Sequence, residues 1–257
     1  PYKESYSNGV VSTYQINMSG STGTAIFAPF KDEMEEFVCA SDNDNGHLAI
    51  NLPDYGRAAQ VVTNYIDLKN AKRPYIFLDL YKYSNERTHT YEILAIRDSV
   101  ETSLLKGDFT KLPLEGWNPV GVDLSSLVGQ TPQIAIRVAC GQYGTVHIDN
   151  IRVMEAPEYD MMVGDIKVPA YINEGMPTSI TAQISNQGIG KSKETEVSLL
   201  RNGEAVQTIK HPAMNGLSSN FITLTDTLSS GLGLKECFYS LKVTCQGDNN
   251  SANDTTE

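Results

Sequence analysis

The chain has 257 residues, of which 40% are hydrophobic and 20% are charged, and its formal net charge is −11. This composition is typical of a folded protein with a core and excludes a disordered chain. Lys and Arg form no cluster that could bind phosphate groups, so no nucleic acid partner is expected. No apolar run reaches the roughly 18 residues of a membrane-spanning helix, so no membrane span is expected in this piece.

Alternation of polar and apolar residues, which is typical of half-buried strands, is the main pattern along the chain. It is clearest at residues 133–138 and 179–185, and residues 146–149 show it within a strand predicted at 146–153. Further strands are predicted at residues 75–83, 90–97, 116–122, 195–201, 205–210, 220–225 and 237–245. No long segment repeats with a helical period. The sequence therefore predicts an all-β protein.

Turn residues separate several of these strands. Asn202-Gly203 lies between two apolar runs and predicts a type I′ hairpin. Lys106-Gly107-Asp108 is also interpreted as a turn. The segment 154–158 follows a predicted strand and contains Pro157, so we place a domain boundary there. This divides the chain into domains 1–156 and 157–257.

The two predicted domains differ in tyrosine content. Ten of the 13 tyrosines precede residue 157. Tyrosine combines an apolar ring with a polar hydroxyl group and suits half-exposed binding surfaces. The first domain is therefore the candidate for recognition.

An acidic loop, Asp42-Asn43-Asp44-Asn45-Gly46, is the first candidate site. Alternating oxygen side chains and a glycine allow a loop to surround Ca²⁺, which prefers six to eight oxygen ligands. The segment is not an EF-hand, because Leu52 stands where that motif has its bidentate Glu. The alternative is a solvated turn rich in Asp and Asn. Asp149 lies on the polar side of the 146–153 strand, and from periodicity alone we expect it to face solvent.

The strand at 75–83 is the second candidate site. Ile76, Leu78 and Leu80 form one face, which is assigned to the core. The other face carries Tyr75, Phe77, Asp79, Tyr81 and Tyr83. Aromatic rings around a carboxylate can stack on sugars and bind their hydroxyl groups. The alternative is that another segment covers this face and hydrogen-bonds Asp79.

Catalytic motifs are not found in the sequence. The four histidines lack a metal-ligand spacing, and neither a GxSxG elbow nor a nucleophilic cysteine motif is present. Among the four cysteines, Cys39 and Cys140 lie in predicted strands of the first domain. Whether these two form a disulfide is left open. The sequence thus predicts no catalytic residues.

Residues 1–156 resemble the cleaved-adhesin family, also called choice-of-anchor J, whose architecture is related to that of MAM domains. The matching segments are Pro1–Tyr6, Asp42–Gly46, Val62–Leu68, Gly116–Leu124, Ile134–Arg137 and Val146–Ile151. The resemblance implies a β-jelly-roll sandwich. It also implies a structural calcium ion bound by Glu4, Asp42, Asp44 and Asp149, which joins the first strand to the last.

Residues 158–257 resemble the bacterial cell-adhesion-related domain CARDB, an immunoglobulin-like β-sandwich. The matching segments are Tyr159–Val168, Ile180–Gly188, Val197–Gly203 and Tyr239–Asp254. Domains of this family commonly serve as spacers.

Together the two resemblances imply a non-catalytic adhesion or binding module, secreted or on the surface of a Gram-negative bacterium. Its expected partner is a glycan or a host or matrix protein. The chain is expected to be a monomer or part of a longer multidomain protein. The alternative is a structural accessory that flanks a protease or hydrolase, and a less favoured one is a glycoside hydrolase on the jelly roll.

Overall fold

A computed structural model describes residues 2–4, 14–19, 24–29, 46–52, 58–83, 89–139, 144–229 and 236–256. The chain splits into two compact units, Pro1–Ala156 and Pro157–Glu257. In the described part of the chain, regular structure consists of β-strands and three short 3₁₀ turns at Phe109–Lys111, Ser125–Leu127 and Ser251–Asn253. None of the described helical turns has the length and hydrophobicity needed to cross a bilayer.

The first unit is built from eleven described strands in two sheets. One sheet contains β1 (Tyr2–Glu4), β3 (Thr24–Pro29), β4 (Gly46–Leu52), β6 (Pro74–Lys82), β9 (Gly116–Asp123) and β11 (Gly144–Glu155). The other contains β2 (Tyr14–Ser19), β5 (Ala58–Thr63), β7 (Thr90–Arg97), β8 (Val100–Asp108) and β10 (Gln133–Ala139). The first sheet has the order β3-β4-β11-β6-β9, with β1 also paired to β11, and the second has the order β2-β5-β10-β7-β8.

The strand order is that of a jelly roll. From β4 to β11 the chain alternates between the two sheets, except at the β7–β8 hairpin. One sheet then has the strand order β4-β11-β6-β9 and the other has the order β5-β10-β7-β8. These two four-stranded sheets form the eight-stranded double sheet of a jelly roll. The jelly-roll prediction is therefore confirmed.

The core of the first unit lies between the two sheets. Alternate residues of β6, β11, β7 and β10 meet there, including Leu78, Ile148, Ile93 and Ile136, all of which are buried. Burial of these aliphatic side chains removes apolar surface from water and holds the sheets face to face.

The second unit is a smaller sandwich of six strands among the described residues. These are β12 (Met161–Lys167), β13 (Pro177–Asn186), β14 (Thr195–Arg201), β15 (Glu204–His211), β16 (Ser218–Thr227) and β17 (Tyr239–Cys245). They form two three-stranded sheets, β12-β13-β16 and β15-β14-β17. This division matches the A-B-E and C′-C-F sheets of an immunoglobulin-like fold. The predicted immunoglobulin-like sandwich is confirmed.

Two turn predictions had different outcomes. Asn202 and Gly203 have φ angles of 53° and 85° and join β14 to β15, which confirms the type I′ hairpin. The turn predicted at Lys106–Asp108 is wrong, because these residues end β8 and pair with β7. A side chain at Gly107 would collide with the ring of Tyr91, so this glycine makes room for a neighbouring ring within the sheet.

Candidate functional site

The outer face of the six-stranded sheet points away from the core. It contains most of the buried polar and ionisable side chains that are described in the first unit. In β6 every residue from Ile76 to Leu80 is buried, although alternate residues point to opposite faces. A strand that is buried on both faces forms part of two packed layers. The outer layer is the one that contains the polar and ionisable side chains.

A β-bulge in β11 determines which residues reach this outer layer. Asp149 pairs with Asp79 and Arg152 pairs with Phe77, so β11 has one more residue than β6 between these pairs. Asn150 has a φ of 51°, a left-handed conformation that asparagine adopts more readily than most residues. Because of the bulge, Ile148 and Ile151 both lie in the core.

Two carboxylates therefore stand side by side on adjacent strands, and both are buried. Asp149 is fully buried and Asp79 is 1% exposed. The expectation from periodicity that Asp149 faces solvent is wrong, because a second layer buries the outer face as well. The backbone N–H of Asn150 donates to Oδ1 of Asp149 over 2.7 Å. The Asn150 Nδ2 donates to Oδ2 of Asp79 over 3.3 Å.

The side-chain oxygen of Asn150 is the exception in this group. Its Oδ1 is buried and has no hydrogen-bond partner, while the residue is only 2% exposed. An unpaired buried acceptor costs free energy unless a cation or a donor reaches it. Two carboxylates and an amide oxygen form a donor set of the kind that Ca²⁺ prefers. Among the described residues, no group of three or more His, Cys, Asp or Glu side chains is placed to hold a metal ion.

The other calcium ligands expected from the sequence are placed only in part. Glu4 lies in β1 and pairs with Ile151, directly beside the bulge, although its side chain is not described. Asp42 and Asp44 lie outside the described residues. The strand that follows them, β4, begins at Gly46 and pairs with β11 up to Ile148, next to Asp149.

The predicted aromatic face of β6 is buried at its centre and partly exposed at its ends. Phe77 and Asp79 are buried, while Tyr75, Tyr81 and Tyr83 are half-buried. The Tyr75 and Phe77 rings stack with centroids 5.7 Å apart. The guanidinium of Arg152 lies 5.8 Å from the centroid of the Phe77 ring. Tyrosines are thus the members of this face that retain contact with solvent.

Two histidines that the sequence did not single out lie in the same layer. His47 and His147 are buried, and Nε2 of His47 lies 2.8 Å from Nδ1 of His147. The Tyr83 hydroxyl group forms a hydrogen bond with Nε2 of His147. Burial and the neighbouring His47 lower the pKa of His147 to about 3. His147 is therefore neutral at physiological pH. Its ring links β11 to β4 through His47 and to Tyr83, the residue that follows β6.

Aromatic rings surround this histidine pair. Trp117 packs edge-on against His47 and Tyr81, with centroid distances of 5.6 and 5.4 Å. The histidines were missed because their spacing in sequence fits no motif, and only the pairing of β4 with β11 brings them together. Asn150 was missed, although a signal was available. The consecutive polar residues Asp149 and Asn150 interrupt the alternation at the position of the bulge.

The CARDB family model matches residues 158–257, and no curated protein matches the chain. Among solved structures, the K1 cleaved adhesin domain of Lys-gingipain from Porphyromonas gingivalis W83 is 17% identical. The alignment covers 61% of this chain and 98% of that one, with a TM-score of 0.47.

Two more solved structures are similar to parts of the chain. The K3 cleaved adhesin domain of the same gingipain is 15% identical over 59% of this chain and 95% of that one, with a TM-score of 0.46. A CARDB domain from Pyrococcus furiosus, solved in complex with di-metal ions, is 17% identical over 39% of this chain and 85% of that one, with a TM-score of 0.32. The family match of residues 158–257 confirms the resemblance of the second unit to CARDB.

Proposed function

We propose that this chain is a non-catalytic binding module of a secreted or surface-attached bacterial protein. The first unit binds a glycan or a host or matrix protein, and the second unit is a spacer. The observation that carries this proposal is the division of chemistry in the first unit. His47, His147, Asp79 and Asp149 are buried, whereas Tyr75, Tyr81 and Tyr83 are partly exposed on a rigid sheet.

This division favours recognition over catalysis for a physical reason. A general acid or base must lie within hydrogen-bonding distance of the substrate. Here the two histidines bond to each other, and both carboxylates accept hydrogen bonds from Asn150. Tyrosine rings on rigid strands offer apolar area at a small cost in conformational entropy. In the proposed binding surface, Tyr75, Tyr81 and Tyr83 contact the ligand, and the buried Phe77 ring stacks against Tyr75.

The test is binding of the full chain to a glycan array and to immobilised matrix proteins. Retention on a defined glycan or protein, weakened by Tyr81→Ala or Phe77→Ala, is the expected result. Tyr171→Ala is the control, because this tyrosine is 92% exposed in the second unit. Retention that both first-unit variants leave unchanged would reject this face as the binding surface. No retention on any array would reject the binding function.

We further propose that the first unit contains a structural calcium ion at the bulge. Asp149 and the Oδ1 of Asn150 bind the ion, and the Asp79 carboxylate lies next to them. Glu4, Asp42 and Asp44 complete the ligand set. Carboxylate and amide oxygens fit Ca²⁺, and a cation would offset the buried negative charge of the carboxylate pair. By its position the ion would join β1 and the entry of β4 to β11, so its role is stabilising.

The calcium proposal is tested by the melting temperature of the full chain in calcium and in EDTA, followed by fluorescence of Trp117, the single tryptophan. Calcium at a hundredfold excess over Kd should stabilise the first unit by roughly 3 kcal/mol. Asp149→Ala and Asp42→Ala should each abolish the difference between the two conditions.

A matched pair of variants tests the amide ligand itself. Asn150→Gly keeps the left-handed backbone but removes Oδ1, so the calcium effect should shrink, while Asn150→Asp keeps an oxygen and should preserve it. Equal melting temperatures of the unmodified chain in calcium and EDTA would contradict the proposal.

A further inference from the structure

A second, solvent-open site lies at one end of the five-stranded sheet of the first unit. It is a cavity of about 640 Å³ between the β7–β8 turn, the segment that follows β5 and the loop before β10. Its walls include Tyr65, Ile96, Arg97, Gln130 and Gln133. This volume lies within the range of cavities that hold small molecules.

Tyr65 is held in position although its side chain is 74% exposed. Its neighbours Ile66 and Leu68 are buried in the core. The N–H of Ile66 donates to the carbonyl of Pro132 over 2.8 Å, and the N–H of Leu68 donates to that of Gln130 over 3.0 Å. Because alternate residues of this extended segment are anchored, Tyr65 faces outward at the cavity. Its backbone is therefore held in place, and its ring is accessible to a ligand.

Polar groups of the wall are held by hydrogen bonds as well. Nη1 of Arg97 donates to Oε1 of Gln130 over 2.5 Å, and Nε2 of Gln133 donates to the carbonyl of Thr63 over 2.9 Å. The charge of Arg97 is matched by that of Asp98, the next residue of the wall. The cavity therefore offers amide and hydroxyl groups without a net charge.

One wall of the cavity is apolar. Ile96 is half-buried and packs on a small cluster formed by Val62, Leu94 and Ala135. Their neighbours along each strand lie in the main core, and successive residues of a strand point to opposite faces. The cluster therefore lies on the face of the sheet that points away from the main core. An exposed ring, an aliphatic wall and oriented amides together match the apolar faces and the hydroxyl groups of a pyranose.

We propose that this cavity is a subsite for a neutral hexose unit of a glycan, with Tyr65 as the stacking platform and Gln130, Gln133 and Arg97 as the polar contacts. The assignment rests on the proposed binding function and adds a site remote in sequence from the β6 tyrosines. A neutral sugar fits better than an anionic one, since the cavity wall contains one Arg and one Asp and the chain carries a net charge of −11.

The experiment measures binding of the full chain to an array of neutral oligosaccharides of glucose, galactose and mannose. Calorimetric titration with the oligosaccharide that is retained best then follows. Tyr65→Ala should raise Kd by about tenfold or more, the loss expected when a central aromatic contact is removed. Tyr65→Phe keeps the ring and should stay within about threefold of the unmodified chain. Tyr171→Ala should leave Kd unchanged.

The outcomes separate this assignment from the function on which it rests. If Tyr65→Ala binds the oligosaccharide as well as Tyr171→Ala does, the cavity assignment is overturned while the binding function stands. If only Tyr81→Ala loses binding to the oligosaccharide, the cavity assignment is overturned and the binding site lies on the β6 face. Retention on matrix proteins but on none of the neutral oligosaccharides would overturn the cavity assignment alone. An unchanged melting temperature of Tyr65→Ala, followed at Trp117, shows that loss of binding is not loss of fold.

Discussion

At the scale of single residues, burial decides what each polar side chain can do. His147 illustrates this, since both of its ring nitrogens are used within the protein, toward His47 and Tyr83. Its pKa of about 3 lies well below the ordinary value of 6.5, because burial and His47 both disfavour the charged ring. In the unfolded chain the same ring titrates near 6.5. In mild acid, His147 therefore stays unprotonated in the folded protein, whereas the same ring binds a proton in the unfolded chain.

This difference gives the first unit a pH-dependent stability with a defined sign. As the pH falls below 6.5, the unfolded state takes up a proton and the native state does not, so the free energy of unfolding decreases. Between pH 7 and pH 5.5 the expected loss is about 1 kcal/mol. Urea titrations followed at Trp117 measure it.

The His147→Gln variant separates this effect from general acid sensitivity. It should be less stable at pH 7 and should show a smaller loss between pH 7 and pH 5.5. His211→Gln, in the second unit, should retain the full dependence of the first unit. If the two variants show the same pH dependence, His147 is not its source.

At the scale of elements, strand alternation predicts most of the fold because most strands have one buried face. The bounds of β7 and β14, residues 90–97 and 195–201, agree with the sequence prediction. Strands β1 to β5, β8 and β12 were not predicted from alternation. The strand β8 lies at a sheet edge, has exposed residues such as Glu101 and Lys106, and has no apolar period. Charged residues on an edge strand protect it from pairing with other chains.

The candidate site could be predicted less well than the strands. Alternation along residues 75–83 selected the tyrosines of the aromatic face. The resemblance selected Asp149, which alternation alone had assigned to solvent. The pairing of Asp149 with Asp79 and of β4 with β11 depends on register, which is set by strands distant in sequence. Tyr65 was not singled out, because its position becomes meaningful only when the loop before β10 is brought beside it.

The hairpin between β14 and β15 allows a test at this scale. Gly203 has a φ of 85°, which an alanine side chain disfavours, so Gly203→Ala should destabilise the second unit by about 1 kcal/mol. Glu204→Ala, at the next and exposed position, should change stability by less than about 0.5 kcal/mol. Unfolding of the second unit followed by circular dichroism measures both. An equal effect of the two variants would show that the turn conformation adds no stability.

At the scale of the whole molecule, the two units differ in the side chains that they contain. The first contains the buried carboxylate pair, the histidine pair and ten of the 13 tyrosines. The second is a compact immunoglobulin-like sandwich around Ile184, Leu199 and Leu241. The net charge of −11 is spread over both halves. Such a surface disfavours polyanionic ligands.

The most direct test is to incubate the full chain with a panel of immobilised neutral polysaccharides. Retained protein and released reducing sugar are measured in the same experiment. We predict that protein is retained on at least one polysaccharide and that no sugar is released, because the exposed rings bind while the ionisable groups stay buried. Release of reducing sugar that Asp79→Asn or Asp149→Asn abolishes would contradict it, since the buried carboxylates would then be catalytic.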